Sequence, residues 1–311
     1  MATWGFEPIA MERVWGGRML ETHFQRSLPD PAAPFGESWE MVDRAEAQSV
    51  LCTGPLAGTT LHELWSTRRE EIFGAGLVDS DRFPLLVKIL DARDDLSIQV
   101  HPPESLASEM GGEPKTEMWY IAAATAGARL VVGLRAGVTR ESFTEAIRSG
   151  TVAEQVHEIP VSAGDFVFIP SGRLHAIGAG LLIFEIQQNS DTTYRVFDWN
   201  RLGLDGQARQ LHIEESLASI DYSDIEPGLD QARGNVIAAC EYFVVERFAI
   251  ALGEMIGCAR ADRFSLLHIV EGELTDREGK SWGAGSTVLL TVGEWGVRAV
   301  KESIVLRTHI P

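Results

Sequence analysis

The segment Leu96-Ser97-Ile98-Gln99-Val100-His101-Pro102-Pro103, followed further on by Lys115-Thr116-Glu117-Met118-Trp119-Tyr120, constrains this chain more than any other stretch. In an extended segment side chains alternate between faces, so Gln99 and His101 share a face, as do Lys115 and Glu117. Two neighbouring strands of this kind gather an amide oxygen, an imidazole and a carboxylate on one inner surface. That is a ligand set for a metal ion. A fourth ligand lies downstream, where Gly164-Asp-Phe-Val-Phe-Ile-Pro170-Ser-Gly172-Arg-Leu-His175 reads as a short apolar strand, a Pro/Gly turn and a histidine. Gln99, His101, Glu117 and His175 together offer two nitrogens and two oxygens with a single negative charge. Such a borderline set suits zinc, although iron, manganese and cobalt accept similar ligands.

At 311 residues and 45% hydrophobic content the chain can bury a sizeable core, as one large domain or two modest ones. Its 27 basic residues stand against 45 acidic ones, a net charge of -18. Nucleic-acid backbones demand a basic surface, so no nucleic-acid partner is expected. An anionic ligand would have to find its positive partners locally. The sequence shows no apolar run of membrane-spanning length and no basic-then-apolar leader, which sets the expectation of a cytoplasmic protein without a membrane partner. Cys52, Cys240 and Cys258 are odd in number and lack paired spacing; they are expected as reduced, buried thiols. No exposed apolar repeat demands a second copy, so a monomer is expected.

Short apolar stretches separated by turn residues dominate the chain. Residues 84–90 are nearly continuous in apolar character, as in a strand covered on both faces. Lys88 interrupts that run and would either snorkel to the surface or serve an anionic ligand. Helices are expected over 61–73, between Thr60 as N-cap and Gly74, and over 140–147, between Thr139 and Gly150. Residues 102–114 form an insertion able to shape a pocket mouth. Glu185, Gln187 and Asn189 share a face if the strand from 180 continues, and an acid inside so apolar a strand is costly without a partner. Asp, Glu, Pro and Gly accumulate over 221–236, marking a linker, after which short strands and glycine turns recur. There Gly285 and Thr291-Val-Gly293 echo the earlier glycine and Pro-x-Gly spacing, but Trp295 stands where a histidine would be needed. His268 is alone, and a lone strand histidine is more often satisfied core than ligand. The expected division is a catalytic, metal-binding domain over 1–230 with helical insertions and a β domain without metal ligands over 236–311.

Gly, five residues, Pro-x-Gly, two residues and His, met at Gly164, Pro170, Gly172 and His175, resembles the second motif of the cupins, small β-barrels that hold one metal ion. In the first cupin motif the glutamate follows the histidines within a few residues. Here Glu117 comes sixteen residues after His101, and Gln99 replaces the first histidine. With those departures the chain resembles the type I phosphomannose isomerases in their short bacterial form. The resemblance runs from Glu12-Arg-Val-Trp15-Gly-Gly17, through Gly36-Glu-Ser-Trp39-Glu40 and Phe83-Pro-Leu-Leu-Val-Lys88-Ile-Leu-Asp91, to Gln187-Gln-Asn-Ser-Asp-Thr-Thr-Tyr-Arg195. It covers residues 4–220 and is looser beyond. It implies a mainly β fold of two cupin-like (jelly-roll) barrels, with a few short helices inserted in or flanking the N-terminal one.

The same resemblance implies one zinc ion per chain and a hexose phosphate substrate, mannose 6-phosphate being exchanged with fructose 6-phosphate through a cis-enediol. Such an exchange needs a ring-opened sugar, a base that moves a proton between C2 and C1, and positive charge for the developing oxyanion. Arg195 resembles the family's active-site arginine, whose permanent charge would stabilise an enediolate or grip phosphate. Lys115, on the Glu117 face, is expected to enter the cavity and contact substrate, and becomes a base or acid if burial beside a cation lowers its pKa. Glu185, ten residues before Arg195, is the rival base, and nothing in the sequence chooses between them. Ser97 resembles a family position near the substrate phosphate, and Arg173 is a candidate beside it. Other readings compete: another cupin phosphosugar isomerase, an iron dioxygenase, which would want more histidines than Gln99 allows, or a non-catalytic sugar-binding module, which could dispense with Lys115, Glu185 or Arg195.

Overall fold

Period-two alternation becomes facing sheets. The computed structural model describes residues 3–294 and 296–311, so the Trp295 position lies outside the described residues. Two compact units emerge, one formed by Met1–Ile9, Ser38–Ile89 and Gln231–Pro311, the other by Ala10–Glu37 and Leu90–Asp230. The chain therefore crosses between units several times, once in the Asp-, Glu-, Pro- and Gly-rich stretch around 230.

The strands that run through Ala10–Glu37 and Leu90–Asp230, with Ile9 of the first, Ser38–Met41 of the second and Leu85–Ile89 of the third belonging to the other unit, are β1 (Ile9–Gly17), β2 (Phe35–Met41), β3 (Leu85–Ala92), β4 (Ile98–Val100), β5 (Glu117–Ala124), β6 (Arg129–Leu134), β7 (Val156–Pro160), β8 (Phe166–Ile169), β9 (His175–Ile177), β10 (Leu181–Gln188) and β11 (Tyr194–Phe197). One sheet has the order β1-β2-β3-β10-β5-β8 and the other β11-β4-β9-β6-β7. The inner faces share one core, with Trp119, Ile121, Val167, Ile169, Leu181 and Ile183 from the first sheet meeting Leu130, Val132 and Ile177 from the second. The outer face of the second sheet is apolar as well. There Ile98, Val100, Val131, Ala176, Tyr194 and Val196 pack with Phe143 and Leu217, which lie on the helices Arg140–Ser149 and Ile213–Ser219. The fold is mainly β with short helices, as expected, but the sheets stay open instead of closing into barrels.

In the other unit a sheet runs in the order Trp4–Gly5, Thr287–Leu290, Ser265–Glu271, Ser303–His309, Val244–Ile250, Val236–Ala239. Its core joins Leu267, Ile269, Val288 and Val305 to Ile256, Leu274, Trp282 and Val297 of a smaller four-stranded sheet. His268 is wholly buried, with Nδ1 3.0 Å from the Thr287 hydroxyl and Nε2 3.0 Å from the Thr308 hydroxyl. It is satisfied core. Burial pushes this imidazole down to about 3 from its ordinary 6.5. The unfolded chain thus binds a proton that the folded chain refuses between those values, so stability present above pH 6.5 is lost as the pH falls through that window. His268→Gln should flatten the dependence of unfolding free energy on pH by up to about 1.4 kcal/mol per pH unit there. Urea unfolding at several pH values measures it, and unchanged slopes would mean that the folded imidazole is protonated.

Helix boundaries follow the capping residues. Leu61–Ile72 begins with a capping box of Thr60 and Glu63, and Gly74 follows it at φ +105°. Arg140–Ser149 begins with a capping box of Thr139 and Ser142 and ends on left-handed Gly150. Two expectations fail. Lys88 does not snorkel: it is buried, with its ammonium 5.1 Å from the centre of the Trp39 ring. All three thiols are free, but Cys52 is exposed and Cys240 and Cys258 are only half-buried. Among the described residues no helix is long and apolar enough to cross a membrane.

Candidate metal centre

Strand register assembles the site. Arg195 on β11 opposes Gln99 on β4, and Gln99 opposes His175 on β9, so the three side chains stand in a row on one face. His101 lies two residues beyond Gln99 and rejoins that face. On the facing sheet Glu117 opposes Gln187 and Trp119 opposes Glu185. The Pro-x-Gly turn holds the two histidine segments together. Arg173 N–H donates to the Pro170 carbonyl at 3.1 Å, Gly172 takes φ +93°, a region glycine enters at little cost, and its N–H donates to the His101 carbonyl at 2.9 Å.

His101 Nδ1 lies 2.8 Å from the Thr192 carbonyl oxygen, and His175 Nδ1 lies 2.8 Å from that of Arg173. A carbonyl only accepts, so each ring carries its proton on Nδ1 and turns a bare Nε2 towards Glu117. Those nitrogens sit 3.5 Å from Oε2 and 3.6 Å from Oε1 of the carboxylate. All three residues are wholly buried, and their ligand atoms fall within 4.8 Å of one another. His101 Nε2 and Glu117 Oε1 have no hydrogen-bond partner, an arrangement costing on the order of 1–3 kcal/mol per buried group if nothing else satisfies them. Orphaned nitrogen and oxygen atoms converging on one point fit a divalent cation. Gln99 Nε2 is 3.3 Å from His175 Nε2, and a half-turn of the amide would bring its oxygen to the same corner.

Electrostatics agree with that use. Burial, helped by the Lys115 ammonium, holds His101 below its usual range; burial and the neighbouring His101 ring push His175 down to about 3. Neutral imidazole is the form that binds a metal. Burial alone would raise the Glu117 carboxyl, but Lys115 and His101 outweigh it and hold it well below the carboxylate range. Lys115 Nζ lies 2.9 Å from Glu117 Oε2 and 3.8 Å from Glu185 Oε1. The expected lowering of Lys115 does not occur among the protein's own groups: burial pulls in that direction, but Glu117 and Glu185 outweigh it and raise the ammonium above its ordinary value.

The other candidates divide. Arg195 donates from Nη1 to the Gln210 carbonyl at 3.0 Å, while its buried Nε has no hydrogen-bond partner. Nearby Asp198 accepts from Arg201 and Arg209, so three guanidiniums gather at this edge around one carboxylate. Ser97 is buried on the Gln99 face, its hydroxyl 3.5 Å from Gln99 Oε1. Arg173 does not offer its guanidinium to the site: Nε and Nη2 grip Asp224 at 2.8 and 2.9 Å, and Nη1 donates to the Phe168 carbonyl at 2.7 Å. Only its carbonyl serves, by orienting His175. Two residues that are not site candidates in the sequence also belong here, Trp119 and Gln187, the second placed there only on the Glu185 face. Trp119 donates its indole N–H to Glu185 Oε2 at 2.9 Å, and buried Gln187 faces Glu117 with an unpartnered Oε1. Both share a face with residues already flagged, but a tryptophan in an apolar strand reads as core. A cavity of about 780 Å³ lined by Gly17, Asp91, Thr125 and Arg129 lies at the Ala124–Leu181 end of the β5–β10 pair, away from Glu117, and none of these site residues lines it.

A buried histidine–carboxylate–histidine cluster between facing sheets defines a mainly β protein able to hold one divalent ion. The family model for the catalytic domain of type I phosphomannose isomerase matches residues 6–116. Mannose-6-phosphate isomerase ManA of Bacillus subtilis (strain 168) is 37% identical over 277 residues, 86% of this chain and 85% of that protein. Mannose-6-phosphate isomerase of Streptococcus mutans serotype c is 43% identical over 217 residues, 68% of this chain and 67% of that one. The crystal structure of the mannose 6-phosphate isomerase from Bacillus subtilis matches with a TM-score of 0.88 at 31% identity, covering 100% of both chains. The chain belongs to the type I phosphomannose isomerases, and it is an isomerase.

Proposed function

We propose that this chain is a zinc-dependent aldose–ketose isomerase that interconverts mannose 6-phosphate and fructose 6-phosphate through a cis-enediol, working as a cytoplasmic monomer. The observation that carries the reading is the buried convergence of His101, Glu117 and His175 beside the Lys115–Glu185 pair, in a member of this family. Gln99, His101, Glu117 and His175 would hold the zinc, which when bound polarises sugar oxygens without redox change. Every other task falls to side chains. Glu185 removes the C2 proton of the open-chain aldose and returns it to C1, while a hydroxyl proton passes from O2 to O1, so the exchange balances without a co-reactant. Lys115, between two carboxylates, stays an ammonium and offsets negative charge growing on the sugar. Arg195, next to Gln99 in the row, supplies a fixed positive charge to the enediolate or the phosphate, with Ser97 adding a hydroxyl on that face. Arg173 contributes by orienting His175. In this reading catalysis belongs to residues 1–230, and 236–311 holds no metal. Free thiols suit a reducing compartment.

Elemental analysis together with a coupled assay of fructose 6-phosphate formed from mannose 6-phosphate tests the reading. One zinc per chain and turnover is the expected result. Full zinc occupancy without turnover would leave a sugar-binding module, and substrate-dependent oxygen uptake would make the protein an oxygenase; either ends the isomerase reading.

A further inference from the structure

We propose that Trp119 is a positioning residue for proton transfer: its indole N–H pins Glu185 Oε2 and so presents Oε1 on the Lys115 side. The inference rests on Glu185 carrying the proton. Trp119 and Glu185 are direct partners across the antiparallel β5–β10 pair, and both are buried. The N–H to Oε2 distance is 2.9 Å, whereas Oε1 stands 3.8 Å from Lys115 Nζ. One carboxylate oxygen is therefore held by a donor that does not titrate, and the other lies towards the polar cluster. A buried indole must place its N–H somewhere, and here it selects a charged acceptor, the stronger kind of hydrogen bond. The same ring stands edge-on to His175, centroids 5.3 Å apart at 77°. Trp119 thus touches both a candidate metal ligand and the candidate base, and fixes the orientation of one relative to the other. Geometry of this kind matters because a small misplacement of a proton-transfer group lowers the rate of the chemical step more than it weakens binding.

Trp119→Phe keeps an aromatic ring and removes the donor. The expected result is a fall in kcat of about tenfold or more, as for loss of a hydrogen bond to a buried charge, with KM changed less than about twofold. Metal content stays at the wild-type level. In a Glu185→Gln background the same change should add nothing to the loss, because the oriented carboxylate is already gone. Purely structural packing would instead lower the melting temperature and reduce kcat by the same factor in both backgrounds, overturning the inference. If Trp119→Phe fails to fold or loses metal, benzothienylalanine inserted at position 119 preserves the bicyclic shape with sulfur in place of N–H, and the same kcat loss is expected. Wild-type kcat in either variant sinks the role of Trp119 alone. Wild-type turnover in Glu185→Gln instead sinks the assignment of Glu185, whatever Trp119 does.

Discussion

His101→Ala and His175→Ala should each lose bound metal and turnover together, with activity down on the order of a thousandfold or more, since a metal ion contributes several kcal/mol of transition-state stabilisation. Each ring is in the form that metal binding requires. A main-chain carbonyl fixes the Nδ1 proton, burial keeps the ring neutral, and the bare Nε2 faces Glu117. Alanine at either position removes a ligand and leaves the carboxylate beside a void, with Lys115 as its remaining ionic neighbour. Unfolding is not the expected cause of the loss. The His101 and His175 rings occupy the polar end of the inner face, whereas the apolar core shared by the sheets is formed by Trp119, Ile121, Leu130 and their neighbours. A chelator acting on the wild-type protein should reproduce the loss, and added zinc should reverse it. Metal content, melting temperature and the coupled assay on the same preparations separate the cases. An alanine variant with wild-type metal and rate would show that the ion, if any, sits elsewhere.

Arg195→Ala should keep its metal and lose turnover by about a hundredfold to a thousandfold, the usual consequence of removing a preorganised charge aimed at a developing oxyanion. Arg195 is separated from the candidate metal ligand His175 by Gln99 alone, which puts the two backbones about 10 Å apart at two strand spacings. A phosphorylated hexose can reach from one to the other. Its Nε is buried without a hydrogen-bond partner, and Asp198 is already engaged by Arg201 and Arg209, so an incoming anion meets an arginine with capacity to spare. Arg195→Lys should recover only part of the rate, because a point charge cannot reproduce the planar fork. A fully active Arg195→Ala enzyme would remove this residue from the mechanism.

The candidate metal site was legible because its rule is local. A spacing of two places Gln99 with His101 and Lys115 with Glu117, and the strands keep that parity down to the packing of Ile98, Val100 and Ala176 on the opposite face. The capping residues Thr60 and Thr139 were legible for the same reason. What escaped depends on distant partners. Nothing near Arg173 in the chain announces that Asp224 will claim its guanidinium, and nothing near Lys88 announces the face of Trp39. Lys115 shows the limit most sharply. Its charge state is a balance of burial against two carboxylates, one of them seventy residues away, and only the fold decides which wins. Trp119 escaped because its one polar atom matters only once β10 is known to be its neighbour.

A final consequence concerns the row of Arg195, Gln99 and His175. Since all three depend on one hydrogen-bonding frame between β11, β4 and β9, sliding any of those strands by a single residue would send its contribution through to the helix-covered side. The site is thus as digital as it is chemical: deleting Val100, which sets Gln99 and His101 on opposite faces, should erase it as completely as removing the side chains themselves, while leaving every functional group present in the polypeptide.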